Sequence, residues 1–214
     1  MKFAIPTVLV VAAMAPAALA APAQVALAAP KIFAPGVISS PANDSPPTFS
    51  PDGNTLFFAR YGAGGATIME SHRVRGHWTK PVIASFSGDW PELAPELSPD
   101  GSYMIFVSAR APANAVPGKP SHAVIHLWRT DRTGPDWDHW SKPRELPPAV
   151  NISNAVWRGS VAADGSIYFL SIDPGKDKGK RLYVSHFEHG KYQPAQPLPF
   201  SHYGDDDVDP EIAP

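Results

Sequence analysis

The chain has 214 residues, 18 basic and 20 acidic side chains, a formal net charge of −2 and no cysteine. That balance, with no basic patch, argues against nucleic acid as a partner, and the absence of thiols excludes disulfides and a lipid anchor on an N-terminal cysteine. Proline and glycine, 26 and 16 residues, make up about a fifth of the chain, below the roughly 25–30% that signals disorder.

Residues 1–20 read as a secretory signal. Lys2 supplies the positive start, Val8 to Ala15 the apolar region, and Ala18-Leu19-Ala20 a small-x-small cleavage site, so Ala21 is the expected mature N-terminus. Ala26-Leu27-Ala28 is a second option. Pro6, Pro16 and the shortness of the apolar run argue against a spanning helix of roughly 20 residues. A periplasmic or secreted location is expected, with no membrane span after signal removal. Residues 21–44 begin as an Ala/Pro linker, and Ile32-Phe33-Ala34-Pro35-Gly36-Val37 reads as an outer strand completing some other sheet.

From Ser45 onward the chain repeats. Thr48-Phe49-Ser50-Pro51-Asp52-Gly53 is followed by Asn54-Thr55-Leu56-Phe57-Phe58-Ala59. Glu96-Leu97-Ser98-Pro99-Asp100-Gly101 is followed by Ser102-Tyr103-Met104-Ile105-Phe106-Val107. A worn copy runs Ser160-Val161-Ala162-Ala163-Asp164-Gly165 and then Ser166-Ile167-Tyr168-Phe169-Leu170, and Asp209-Pro210-Glu211-Ile212 begins a fourth. Proline presets φ for the first corner of a type I turn, aspartate suits the second, and glycine takes the left-handed position that follows. Each copy therefore predicts strand, three-residue hairpin loop and strand. The runs after each glycine are apolar on nearly every residue, as in a strand buried on both faces.

A third strand is expected at Ala66–Ser71, Ala123–Arg129 and Arg181–Ser185, and a fourth starting at Gly76-His77-Trp78, Asp138-His139-Trp140 and Gly190-Lys191-Tyr192. The aspartates stand 48 and then 64 residues apart, the longer interval holding an Ala/Pro-rich insertion at 111–120. Periods of roughly 40–50 residues with four short strands each are the mark of propeller blades. The fold class is thus all-β: four-stranded antiparallel blades over about 45–88, 92–150 and 154–201, with a stub at 205–214.

These Ser-Pro-Asp-Gly turns between inner strands resemble those of the TolB-like β-propellers, over about residues 33 to 214. The resemblance implies a propeller fold shared by periplasmic accessory proteins, modules attached to peptidases and other secreted proteins, and it implies no single activity.

In a propeller the inner strand faces the central channel. The equivalent inner positions are Thr48, Glu96, Ser160 and Glu211, so Glu96 and Glu211 are candidates to bind a cation or a basic group. The loops leading into these strands carry Asn43-Asp44, Asp89-Trp90-Pro91-Glu92, Asn151 to Asn154 and Asp205 to Asp209, with Trp157 and Arg158 beside the third. Acidic and amide groups beside Trp90 and Trp157, with Arg158 next to the latter, suit a sugar, a peptide or a cation. Asp205-x-Asp207-x-Asp209 lacks the glycine and glutamate of an EF-hand loop. His122 and His126, four apart, lie too far from each other along a strand to share a metal ion. No cofactor and no metal centre is implied.

The expected function is an exported binding module for a protein, peptide or glycan at the rim or channel. The rival is a propeller glycosidase or polysaccharide lyase using Glu96, Glu211 and Arg158. Three blades and a stub fall short of a closed ring, so the sequence also reads as a fragment without independent function, or as a half-ring that closes as a homodimer. In either case Phe57 and Phe169 are expected on uncovered blade faces.

Overall fold

The computed structural model describes residues 29–111, 124–172, 179–204 and 207–212. The signal, most of the Ala/Pro-rich insertion, His122 and Asp205 lie outside the described residues. All strands belong to the unit Ile32–Pro214, and no helix is found among the described residues. The first sheet contains β1 (Thr48–Phe49), β2 (Thr55–Gly62), β3 (Gly65–Val74), β4 (His77–Trp78) and β5 (Val82–Ile83). The second contains β6 (Glu92–Leu97), β7 (Tyr103–Ser108), β8 (His126–Asp131) and β9 (Arg144–Glu145). The third uses β10 (Val156–Val161), β11 (Ile167–Ile172), β12 (Lys180–Ser185) and β15 (Gln196–Pro197), with β13 (Phe187–Glu188) and β14 (Lys191–Tyr192) as a side hairpin. Strand orders are β1-β2-β3-β5, β6-β7-β8-β9 and β10-β11-β12-β15, and every pairing is antiparallel. These are three consecutive propeller blades.

The fourth strands differ from expectation in one respect. His77 and Trp78 pair back onto Val74 and Arg73, Trp140 bridges Arg132, and Lys191 and Tyr192 pair with Glu188 and Phe187. The edge strand proper resumes only after Pro81, Pro143 and Pro194. A proline has no N–H for the ladder, so it separates the hairpin tip from the edge strand.

The turns show why Ser-Pro-Asp-Gly recurs. Gly53, Gly101 and Gly165 have φ of 68°, 66° and 86°. Asp100 Oδ1 accepts from Ser98 Oγ (2.7 Å), Ser102 N (3.0 Å) and Ser102 Oγ (2.8 Å). Asp52 accepts from Ser50 Oγ and Asn54 N, and Asp164 from Ser166 N. All three carboxyls are held below the usual range, Asp52 and Asp100 chiefly by the serine hydroxyl and Asp164 by the Ser166 amide. The first two loops are one residue longer than expected. Ser50 N donates to Thr55 O and Ser98 N to Tyr103 O, because the serine hydroxyls, not backbone carbonyls, accept from Thr55 N and Tyr103 N. Ala162 has no hydroxyl, and its loop closes with three residues through Ala162 N to Ser166 O.

Side-chain alternation along β2, β7 and β11 assigns each apolar residue to one blade face. Phe57, Ala59 and Ile68 meet Leu97, Met104, Phe106 and Trp128 between the first two blades. Ile105, Val107 and Leu127 meet Val161, Ile167, Phe169 and Tyr183 between the second and third. The expected exposure of Phe57 and Phe169 is therefore wrong. Both are 0% exposed because their parity turns them toward the second blade. Gly159 lets the third blade dock, since a Cβ there would come within 2.8 Å of Ile105 Cδ1 and 3.1 Å of Leu127 Cδ1. The hydroxyls of Thr48 and Ser160, both buried, accept from the next repeat at equivalent places: Leu97 N at 3.3 Å and Ile212 N at 3.0 Å.

Leu56 and Phe58 occupy the opposite parity and are buried against Ile38, with Ala34, Met69 and Trp78 packed around them. The segment expected as an outer strand is thus a plug over the first blade's far face. Ala34 at φ 39° and Gly36 at φ 77° curl it, with Val37 N and Ile38 N both donating to Ala34 O. Arg60 Nη2 fixes it by donating to Ile38 O at 3.1 Å. Ile38→Ala should cost about 2–5 kcal/mol, read as a lower denaturation midpoint; an unchanged midpoint would show that the plug does not stabilise the first blade.

Candidate functional site

Two inner strands carry register shifts, β6 between Leu93 and Glu96 and β10 between Trp157 and Gly159. The β6 irregularity contains Ala94 at φ 49°, and its counterpart in the fourth repeat, Asp209, stands at φ 53°. Left-handed backbone is uncommon outside glycine and persists where the surroundings impose it. A bulge re-aims side chains. Trp157 and Arg158 are neighbours and would face opposite ways in a regular strand, yet both border one cavity of about 430 Å³.

That cavity is lined by Leu93 and Ala94 from the second blade and by Trp157, Arg158, Leu170, Ile172 and Lys180 from the third. Val208 and Asp209 come from the fourth repeat, and Tyr61 and Pro46 from the first. The Trp157 indole Nε1 is buried without a hydrogen-bond partner. Beside the cavity, Arg158 Nη2 donates to Glu211 Oε2 at 3.1 Å, with the arginine side chain 18% exposed and the glutamate 62%. Glu96 is half-buried. Burial, and then repulsion from Glu211, push its carboxyl up to about 7, against the pull of Arg158. At neutral pH Glu96 is thus able both to donate and to accept a hydrogen bond.

The structure brings Glu96, Glu211 and Arg158 together and puts Trp157 on the same wall as Arg158. Trp90 is not with them. It is 40% exposed and borders a separate cavity of about 390 Å³ with Arg60, Met69 and Ile83. Pro91 packs against Gly65 and sets Trp90 on that side. Thr48 and Ser160 are blade fasteners rather than channel ligands. Most other rim groups hold the fold: Asp44 grips Arg60 at 2.8 and 2.9 Å, Glu92 grips Arg110 at 2.6 Å, and Asn151 bonds the backbone of Leu127 and Leu146. His126 is engaged by Glu145 and by the Ser153 carbonyl. The apolar lining from Leu93, Leu170, Ile172 and Val208 had no sequence signal, since core strands and cavity walls use the same residues.

The three blades and the cavity at their inner-strand ends define a β-propeller module. No protein-family model matches the sequence, and no curated protein does. Among solved structures, TolB from Acinetobacter baumannii is similar with a TM-score of 0.47 and 17% identity, covering 73% of this chain and 33% of that one. A puromycin-hydrolyzing peptidase of Mycobacterium tuberculosis gives 0.49 and 16%, covering 78% and 24%. The β-propeller domain of the Trilobed protease from Pyrococcus furiosus gives 0.44 and 12%, covering 74% and 43%. The chain spans less than half the length of each of these three, and at such identities the likeness concerns the fold alone. Among the described residues no helix is long and apolar enough to cross a membrane.

The raised Glu96 carboxyl has a consequence for stability. A carboxyl ordinarily near 4.5 that titrates near 7 in the fold favours folding fully below 4.5, and that contribution is lost as pH rises through 7. Glu96→Gln, which cannot ionise, should melt higher than the parent at pH 8 and close to it at pH 4.5, with about 2–4 °C for each kcal/mol recovered. An equal difference at both pH values would mean that Glu96 titrates normally.

Proposed function

We propose that the chain is an exported β-propeller module of the TolB-like kind that binds a protein, peptide or glycan at its inner-strand rim. The observation that carries this reading is convergence. Arg158 and Trp157 from the third blade line one cavity, Arg158 pairs with Glu211 of the fourth repeat, and both act on the carboxyl of Glu96 from the second blade. Concave, largely apolar sites with a few directed polar groups are the usual form of a ligand site. Screening the full chain on peptide and glycan arrays should give ligands whose affinity falls at least about tenfold in Arg158→Ala and Trp157→Ala. Ligands indifferent to both substitutions would move the site elsewhere.

A second reading has one specific observation in its favour. Glu96 is pushed up to about 7 while Glu211 is exposed and ion-paired, and two carboxyls in such unlike settings suit acid and base roles in glycoside cleavage. Cleaved products on the glycan array would support it.

Export rests on Lys2, the apolar run and Ala18-Leu19-Ala20. Mass spectrometry of protein recovered outside the cytoplasm should find Ala21 first; mature protein that retains Met1 would refute cleavage.

A further inference from the structure

The cavity wall beside Arg158 pairs an apolar lining with an incompletely used cation. Leu93, Trp157, Leu170, Ile172 and Val208 supply the apolar part. A guanidinium has five N–H donors, and this one makes a single hydrogen bond among the described residues, from Nη2 to Glu211. Its side chain is only 18% exposed, and its other donors meet no protein acceptor among the described residues, so a ligand that displaces water can take them. We infer that this cavity takes a carboxylate carried on a compact apolar body, with Arg158 as the anchor and Glu211 as an internal competitor for it.

Several observations favour this ligand over others. A carboxylate can accept two parallel N–H bonds from a guanidinium, which a hydroxyl cannot match. Glu211 holds Arg158 through one oxygen while 62% exposed, and such pairs are weak and easily exchanged. Glu96, whose carboxyl is pushed up to about 7, is partly neutral at that pH, and the neutral form can donate a hydrogen bond without adding a negative charge. A volume of about 430 Å³ lies at the small end of ligand sites, which suits one apolar side chain and its carboxylate better than a sugar chain. The C-terminal apolar residue of a peptide has this chemistry, and so has a free apolar carboxylic acid.

The inference rests on the rim-binding reading, and the test separates the two. Calorimetry at pH 7 would compare, on the full chain, acetyl-Ala-Leu-Phe with a free carboxylate, the same peptide amidated, and 4-phenylbutyrate. The free acid should bind about 10- to 100-fold more tightly than the amide. Arg158→Gln should bring the acid down to the level of the amide and leave the amide unchanged. Glu211→Gln should tighten the acid several-fold by removing the competitor, an effect that general loss of structure cannot produce. Phenylbutyrate binding as well as the peptide would identify a free acid as sufficient, and peptide binding alone would identify a chain terminus; both support the carboxylate site. Equal binding of acid and amide would overturn it and leave rim binding standing. No binding by any probe, or Glu211→Gln leaving acid binding unchanged or weaker, would also overturn it, whether or not Arg158→Gln folds.

Discussion

A sheet that is apolar on both faces cannot stand in water alone, and the architecture follows from satisfying that requirement three times. Leu56 and Phe58 point one way from β2 while Phe57 and Ala59 point the other, and each set is buried. The second blade therefore exists as a filling between two others, with Met104 and Phe106 against the first and Ile105 and Val107 against the third. Phe57, Phe106 and Phe169, all 0% exposed, are among the largest side chains so buried, at roughly 1.5–3 kcal/mol each. Without cysteines, no covalent staple shares that task.

The same requirement explains two departures from regular repetition. At the third blade, docking leaves no room for a side chain at position 159, and glycine is the residue that fits. At the first blade, the far face meets Ala34 and Ile38 rather than another sheet. A short curl with two left-handed residues covers Leu56 and Phe58 as a neighbouring sheet would, while leaving Phe33 and Phe49 43% and 41% exposed. Side-chain hydroxyls of Thr48 and Ser160 then fasten one repeat to the backbone of the next without using the apolar faces.

The candidate site arises where this regularity breaks. Bulges in β6 and β10 release residues from the ladder, and the released side chains meet at the inner ends of the blades. A half-buried arginine, an exposed glutamate and a half-buried glutamate whose carboxyl is pushed up to about 7 stand together there. The stabilising turns lie at the other ends of the same strands, so the turns and the candidate site are separated along each blade.

The sequence by itself determined the blades. Pro presets one dihedral, Gly permits another, and Asp closes the loop on its own backbone, all within six residues, so Ser50–Thr55 and Ser98–Tyr103 need nothing distant to be read. Repeat alignment likewise placed Glu96 and Glu211 at equivalent inner positions, because equivalent positions in a repeat recur in space, and chain order put Trp157 and Arg158 at the rim. Only the tertiary structure decided which side of each strand meets which neighbour. Phe57 and Phe58 are adjacent and chemically identical, and parity against the second blade alone makes one an interface residue and the other a plug contact. It also decided that Ile32 to Val37 curl rather than extend, that Trp90 stands apart from Trp157, and that Leu93, Leu170 and Val208 line a cavity. Those outcomes depend on packing between segments far apart in the chain, for which local residue chemistry carries no instruction.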